Sequence, residues 1–153
     1  LRWTLTLDLW IVYKYIPACI ISFPGYGIGV EKPIICIVDN DAATREGLRA
    51  MLHTLDVEVV VFANAEEFLD TIGTNDPALL IADINLPGLS GVELLEHLNI
   101  RQSALPTILL DSVGDVHIAV RAMQAGVIDY IEKPFVDRLL IKRINDVLNL
   151  EHD

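Results

Sequence analysis

The sequence predicts an α/β fold, a five-stranded parallel sheet wound on both faces by helices. Three observations predict it. Short apolar runs of strand type recur along the chain, stretches with helical apolar spacing separate them, and the connections between the two are short. Strands that read as near-continuous apolar runs are covered on both faces, which a parallel sheet with crossover helices provides.

The elements follow in order from Ile34. Ile34-Ile35-Cys36-Ile37-Val38 is a first strand ending in acidic residues, and Leu48, Met51, Leu52 and Leu55 fall on one face of a helix. Val57–Phe62 is a second strand. Asn64-Ala65-Glu66-Glu67 has the form of a capping box, continued by Phe68, Leu69 and Ile72. Ala78–Ala82 is a third strand ending at Asp83. Pro87-Gly88 breaks the chain, and Ser90-Gly91-Val92-Glu93 is a second capping box, opening a helix with Leu94, Leu95 and Leu98 inward. Thr107–Leu110 is a fourth strand ending at Asp111. Asp115 caps a helix running through Ala125, which Gly126 stops. Val127–Ile131 is the fifth strand, and Asp137 starts a last helix with Leu140, Ile144, Val147 and Leu148 on one face.

Residues 1–33 differ from this body. They hold six of the chain's ten aromatic residues, and Asp8, Lys14 and Pro17 interrupt their apolar residues. No apolar stretch is long enough for a transmembrane helix, and the charges fall where a signal peptide needs an apolar core. Residues 1–33 are therefore set apart as an extension of unassigned role, ending in a Gly- and Pro-rich linker, and residues 34–153 as one domain.

The net charge is −11, and residues 34–153 carry 20 acidic against 8 basic residues. Such a body repels a phosphate backbone, so direct nucleic-acid binding is not expected. Neither Cys19 nor Cys36 sits at metal-ligand spacing, and a reduced cytoplasmic compartment is the simplest expectation.

The strand ends are polar. The first ends in Asp39-Asn40-Asp41, the third in Asp83, the fourth in Asp111-Ser112, and Lys133-Pro134 follows the fifth. Open parallel sheets place their sites outside the carboxyl ends of the strands. With strand order 2-1-3-4-5 the first, third, fourth and fifth strands adjoin and these groups converge. Clustered carboxylates repel unless a cation is present. Mg²⁺ held by one or two carboxylates, together with Lys133, would suit transfer of a phosphoryl group onto a carboxylate. Taken singly, each acidic residue could equally be a helix cap, and Lys133 a surface lysine.

Several separated motifs resemble the receiver domain of bacterial two-component response regulators, in the flavour of FixJ/NarL-type regulators. They are Ile37-Val38-Asp39-Asn40-Asp41 with Arg45; Asp83 through Leu95; Ala122-Met123-Gln124-Ala125-Gly126; and Asp129-Tyr130-Ile131-Glu132-Lys133-Pro134-Phe135. They stand in order and at the family's spacing, with 44 residues from Asp39 to Asp83 and 50 from Asp83 to Lys133. The resemblance implies a flavodoxin/CheY-like (βα)5 fold and a signalling phosphoprotein, not an enzyme turning over a free substrate. It implies that Asp83 accepts phosphate from a sensor histidine kinase or phosphotransfer protein. It implies that Asp39 and the position of Asn40 hold Mg²⁺ with Asp83 and the Asn85 backbone carbonyl. Lys133 matches the lysine that contacts the phosphoryl group, with a cis peptide bond to Pro134. Tyr130 matches an aromatic switch that moves between exposed and inward positions.

Two positions depart from the pattern. Asn40 replaces an acid, and Asp41 beside it could partly compensate. Asp111 occupies the position of a switch threonine or serine, whose hydroxyl donates to the phosphoryl group; an ionised carboxylate has no proton to donate. Ser112 is adjacent, but neighbouring strand residues point to opposite faces. The leading reading is a phosphoacceptor receiver. A degenerate, phosphate-independent interaction module is the second, and a metal-dependent phosphohydrolase is disfavoured because no insertion is large enough for a lid. A face made by the fourth helix, fifth strand and fifth helix, with His117, Arg121, Tyr130, Arg138 and Lys142, is a candidate homodimer surface.

Overall fold

The computed structural model describes residues 31–74 and 76–150. The readings made for residues 1–30 lie outside the described residues. Five strands alternate with five helices: β1 (Ile34–Val38), α1 (Ala42–Leu52), β2 (Glu58–Phe62), α2 (Ala65–Thr71), β3 (Leu79–Asp83), α3 (Gly91–Ile100), β4 (Thr107–Asp111), α4 (Val116–Gln124), β5 (Asp129–Glu132) and α5 (Asp137–Leu148). The strands form one parallel sheet in the order β2-β1-β3-β4-β5. This is the predicted architecture.

Alternation along the strands splits the core in two. Cys36, Val38, Leu80, Ala82 and Leu109 face α2, α3 and α4, where they meet Phe68, Leu94, Leu98 and Ala122. Ile35, Ile37, Leu79, Ile81, Ile108 and Leu110 face the other way, against Leu48 and Leu52 of α1 and Leu140 and Ile144 of α5. Every residue of β3 and β4 is buried, as strands at the middle of a doubly covered sheet require.

The helix starts follow the sequence. Asp41, Asn64, Ser90 and Asp115 each accept a backbone N–H of the helix they open. The Ser90–Glu93 box is reciprocal, whereas at Asn64 only the bond from Glu67 N is made. Gly126, at φ +85°, stops α4 as expected. The fifth strand is displaced from its expected bounds. Val127 follows α4 too closely to pair, and β5 begins at Asp129, which aligns with Ile108 of β4.

Candidate functional site

Among the described residues, four polar or charged residues are buried: Asp39, Asp83, Thr107 and Asp111. Thr107 satisfies its hydroxyl on the Leu105 carbonyl at 3.2 Å. The other three are carboxylates at or just past the carboxyl ends of β1, β3 and β4. Burying a charge is costly unless it is paired and hydrogen-bonded, so each needs partners.

Asp39 and Asp83 share one. The Lys133 ammonium lies 3.0 Å from Asp39 Oδ2 and 3.1 Å from Asp83 Oδ2. Lys133 comes directly after β5, and its amide donates to the Asp111 carbonyl at 2.6 Å, which fixes the lysine to the end of β4. Its peptide bond to Pro134 is cis, as the resemblance implied. Burial alone would lower the Lys133 pKa. The hydrogen bonds to Asp39 and Asp83 outweigh that and hold it above the ordinary lysine value.

The second oxygen of each carboxylate meets backbone. Asp39 Oδ1 accepts from the Asp41 amide at 2.8 Å, and Asp83 Oδ1 accepts from the Asn85 amide at 3.0 Å. Arg45 reaches back from α1 to donate to the Asp39 carbonyl at 2.6 Å. Gly91 lets α3 start close behind Asp83: a Cβ there would sit 2.5 Å from the Asp83 carbonyl oxygen and 2.9 Å from Ile84 Cα. The loop between β3 and α3 is strapped from α2, where Glu66 accepts the Leu89 amide at 3.0 Å.

Asp111 lies at the same sheet edge with different company. Its Oδ1 accepts from Val113 N at 2.9 Å and from the Asn85 side-chain amide at 3.5 Å. Its Oδ2 accepts from Gly114 N at 2.9 Å and from the Tyr130 hydroxyl. Burial by itself raises the Asp111 pKa; the bonds from Tyr130, Val113, Gly114 and Asn85 together bring it below the usual value. Tyr130 is pushed well above an ordinary tyrosine, first by burial and then by the Asp111 carboxylate.

Of the sequence-predicted residues, Asp39, Asp83 and Lys133 therefore converge, and Asp111, Asn85 and Tyr130 form a second cluster beside them. Asn40 is exposed at the end of β1. Asp41 is also exposed, and its Oδ2 caps α1 through Thr44 N at 3.2 Å and Thr44 Oγ1 at 2.7 Å. Ser112 stands just beyond β4, where strand alternation no longer applies, and its hydroxyl accepts from the Asn85 side chain at 3.0 Å. Sequence reasoning gave Asn85 only a backbone role and missed the Glu66 strap; no local signal marks either.

Two carboxylates directed at one cationic position, with oxygen atoms as the only donors, are a donor set of the kind Mg²⁺ takes. One ammonium against two carboxylates leaves one negative charge over, so the residues fit a further cation. Among the described residues no group of three or more His, Cys, Asp or Glu is placed to hold a metal.

A family profile described as the response regulator receiver domain matches residues 35–145. The chain belongs to that family. The receiver is 36% identical over 117 residues to the transcriptional regulatory protein FixJ of Bradyrhizobium diazoefficiens, covering 76% of this chain and 57% of that protein. It is 39% identical over 108 residues to FixJ of Rhizobium meliloti, covering 71% of this chain and 53% of that protein. It thus spans about half the length of these relatives. Among solved structures, FixJ-N superposes with a TM-score of 0.71 at 34% identity, over 80% of this chain and 98% of that one. A response regulator receiver protein from Pseudoalteromonas atlantica gives 0.72 at 39% identity, over 76% and 98%.

On the receiver's α4–β5–α5 face, His117, Arg121, Arg138 and Lys142 are exposed and Tyr130 is half-buried. Arg121 turns to α3, where it forms a two-pronged bond with Glu96 at 2.7 and 2.6 Å. The exposed large hydrophobic residues of α4 are Val116, Val120 and Met123, and with Tyr130 and Glu132 they line a hollow of about 460 Å³.

Proposed function

We propose that this receiver accepts a phosphoryl group on Asp83 from a sensor histidine kinase or phosphotransfer protein, and so controls a partner or an output domain. The observation that carries this reading is the Lys133 ammonium bonded at once to Asp39 and Asp83. A carboxylate oxygen of Asp83 attacks the phosphorus of a phosphohistidine, and the P–N bond breaks. The electron pair stays on the imidazole nitrogen, and an acyl phosphate is left on Asp83. Lys133 neutralises charge on the phosphoryl oxygens, and Gly91 keeps the Asp83 backbone in place behind the attacking atom. Asp39, Asp83, the Asn85 carbonyl and the Asn40 amide oxygen would hold Mg²⁺, which when bound stabilises the negative charge that transfer spreads over the phosphoryl oxygens.

In this reading residues 34–153 are the receiver and residues 1–33 an extension of unassigned role. In the same reading the acidic body repels nucleic acid and anionic membrane surfaces, and the compartment is the cytoplasm. Among the described residues no helix is long and apolar enough to cross a membrane. The apolar hollow beside Tyr130 supports a homodimer through α4, β5 and α5.

The test is intact mass after incubation with Mg²⁺ and acetyl phosphate. Wild type should gain one phosphoryl adduct and Asp83→Asn none. Absence of an adduct from folded wild type, with no binding of beryllofluoride either, would favour the second reading, a phosphate-independent interaction module. The fully bonded Asp111 carboxylate at a switch position is what supports that alternative.

A further inference from the structure

Asp111 is the buried carboxylate that phosphoryl transfer leaves unused. It shares a sheet face with Leu109 and, across the register, with Tyr130, because Leu109 pairs with Tyr130 and Asp111 with Glu132. The two side chains therefore rise from the same side of the sheet, two residues apart in register, which a tyrosine can span.

The carboxylate meets four donors, two on each oxygen. Val113 N and the Asn85 side chain bond Oδ1, while Gly114 N and the Tyr130 hydroxyl bond Oδ2. A carboxylate has about four acceptor directions, so these donors fill it. A hydroxyl at the same place has one oxygen and could not hold two loop amides and a phenol together. It would, however, carry a proton to give to a phosphoryl oxygen, which a carboxylate lacks. Gly114, at φ +72°, turns the loop back so that its amide reaches the carboxylate.

We propose that Asp111 is a built-in latch: its carboxylate holds the Tyr130 hydroxyl and the loop from Ser112 to Gly114 against the end of β4 with no phosphoryl group present, so the α4–β5 surface is preset and stays in place when Asp83 is phosphorylated. The last clause rests on the phosphoacceptor reading; the latch itself does not. Asp111 is then a positioning residue that acts through Tyr130. The hollow bounded by Val116, Val120, Met123 and Tyr130 keeps one shape in both phosphorylation states.

The test is ¹⁹F NMR on the full chain with 3-fluorotyrosine in place of tyrosine, with Tyr130→Phe to assign the Tyr130 signal. Spectra are taken with Mg²⁺, with and without beryllofluoride, on wild type and Asp111→Thr. The same spectrum shows fluoride resonances of bound beryllofluoride, so site occupancy is read independently. In wild type the Tyr130 signal should not move as those resonances appear. In Asp111→Thr the ligand-free Tyr130 signal should move toward that of an exposed tyrosine, then shift again on binding. A wild-type Tyr130 signal that moves with bound beryllofluoride would overturn the preset surface, and this arm needs no folded variant. Coincident ligand-free signals in wild type and Asp111→Thr would overturn the latch. Wild type without bound-fluoride resonances would overturn the phosphoacceptor reading and the preset clause with it, while the ligand-free comparison would still decide the latch.

Discussion

Two carboxylate clusters stand side by side at one edge of the sheet and solve the same problem differently. Asp39 and Asp83 are buried against an ammonium, and Asp111 is buried against amides and a phenol. The first cluster answers charge with charge. Two anions against one cation leave it short of positive charge, with room in its electrostatics for a further cation. The second answers charge with neutral hydrogen-bond donors that take all its acceptor directions. In the proposed reading the first arrangement serves phosphoryl transfer and the second holds parts of the chain in place. A difference of one step in strand parity separates them: Asp83 follows Leu79 and Ile81 on the α1/α5 side, whereas Asp111 follows Leu109 on the α4 side.

The sharpest way to break the comparison is to remove the ammonium. Lys133→Met leaves two buried carboxylates facing each other, and breaking a buried ion pair costs roughly 3 kcal/mol. Urea denaturation without divalent cations should show that loss, and Mg²⁺ should return part of it; an unchanged midpoint would mean that water already screens the pair. Next in size is Gly91→Ala, whose methyl would meet the Asp83 carbonyl at 2.5 Å. Overpacking of this kind costs about 2 kcal/mol. Phosphorylation by acetyl phosphate should slow as well, since the start of α3 must move relative to Asp83.

On the other cluster Tyr130→Phe removes one donor of four while the three others remain. A loss of about 1 kcal/mol is expected by urea denaturation. The same bond sets a pH dependence. Tyr130's phenol is raised above its ordinary value of 10.0. The folded state thus holds this proton where the unfolded state releases it. Its contribution is complete below about pH 10 and is lost as pH rises further. Alkaline denaturation should begin at lower pH in wild type than in Tyr130→Phe measured from each protein's own neutral stability, and phenolate absorbance will follow it. The smallest effect lies in the core of β1. Burial pushes the Cys36 thiol up to about 11, so iodoacetamide at pH 8 should leave Cys36 unmodified in the folded chain and alkylate it in urea.

Much of the fold was legible because each element carries its own local signal. Short apolar runs mark the strands, and Asp41, Asn64, Ser90 and Asp115 mark the helix starts through bonds that span only two or three residues. The least accurate boundary was β5, whose start is set by pairing with Ile108 and not by its own composition. In the site, Asp39, Asp83 and Lys133 were legible from type and spacing. The turn of Arg121 toward Glu96 and the side-chain role of Asn85 were not, because each depends on what lies across a loop or on another helix.

By itself the sequence determined the α/β class, the number of strand–helix units and the presence of acids at three strand ends with a lysine after the fifth. Apolar periodicity and capping chemistry act over a few residues and are written where they act. Tertiary structure alone decided which acid pairs with the lysine and which with the tyrosine. That choice depends on strand order and parity together, which bring residues 94 and 50 positions apart onto one ammonium and leave Asp111 to Tyr130.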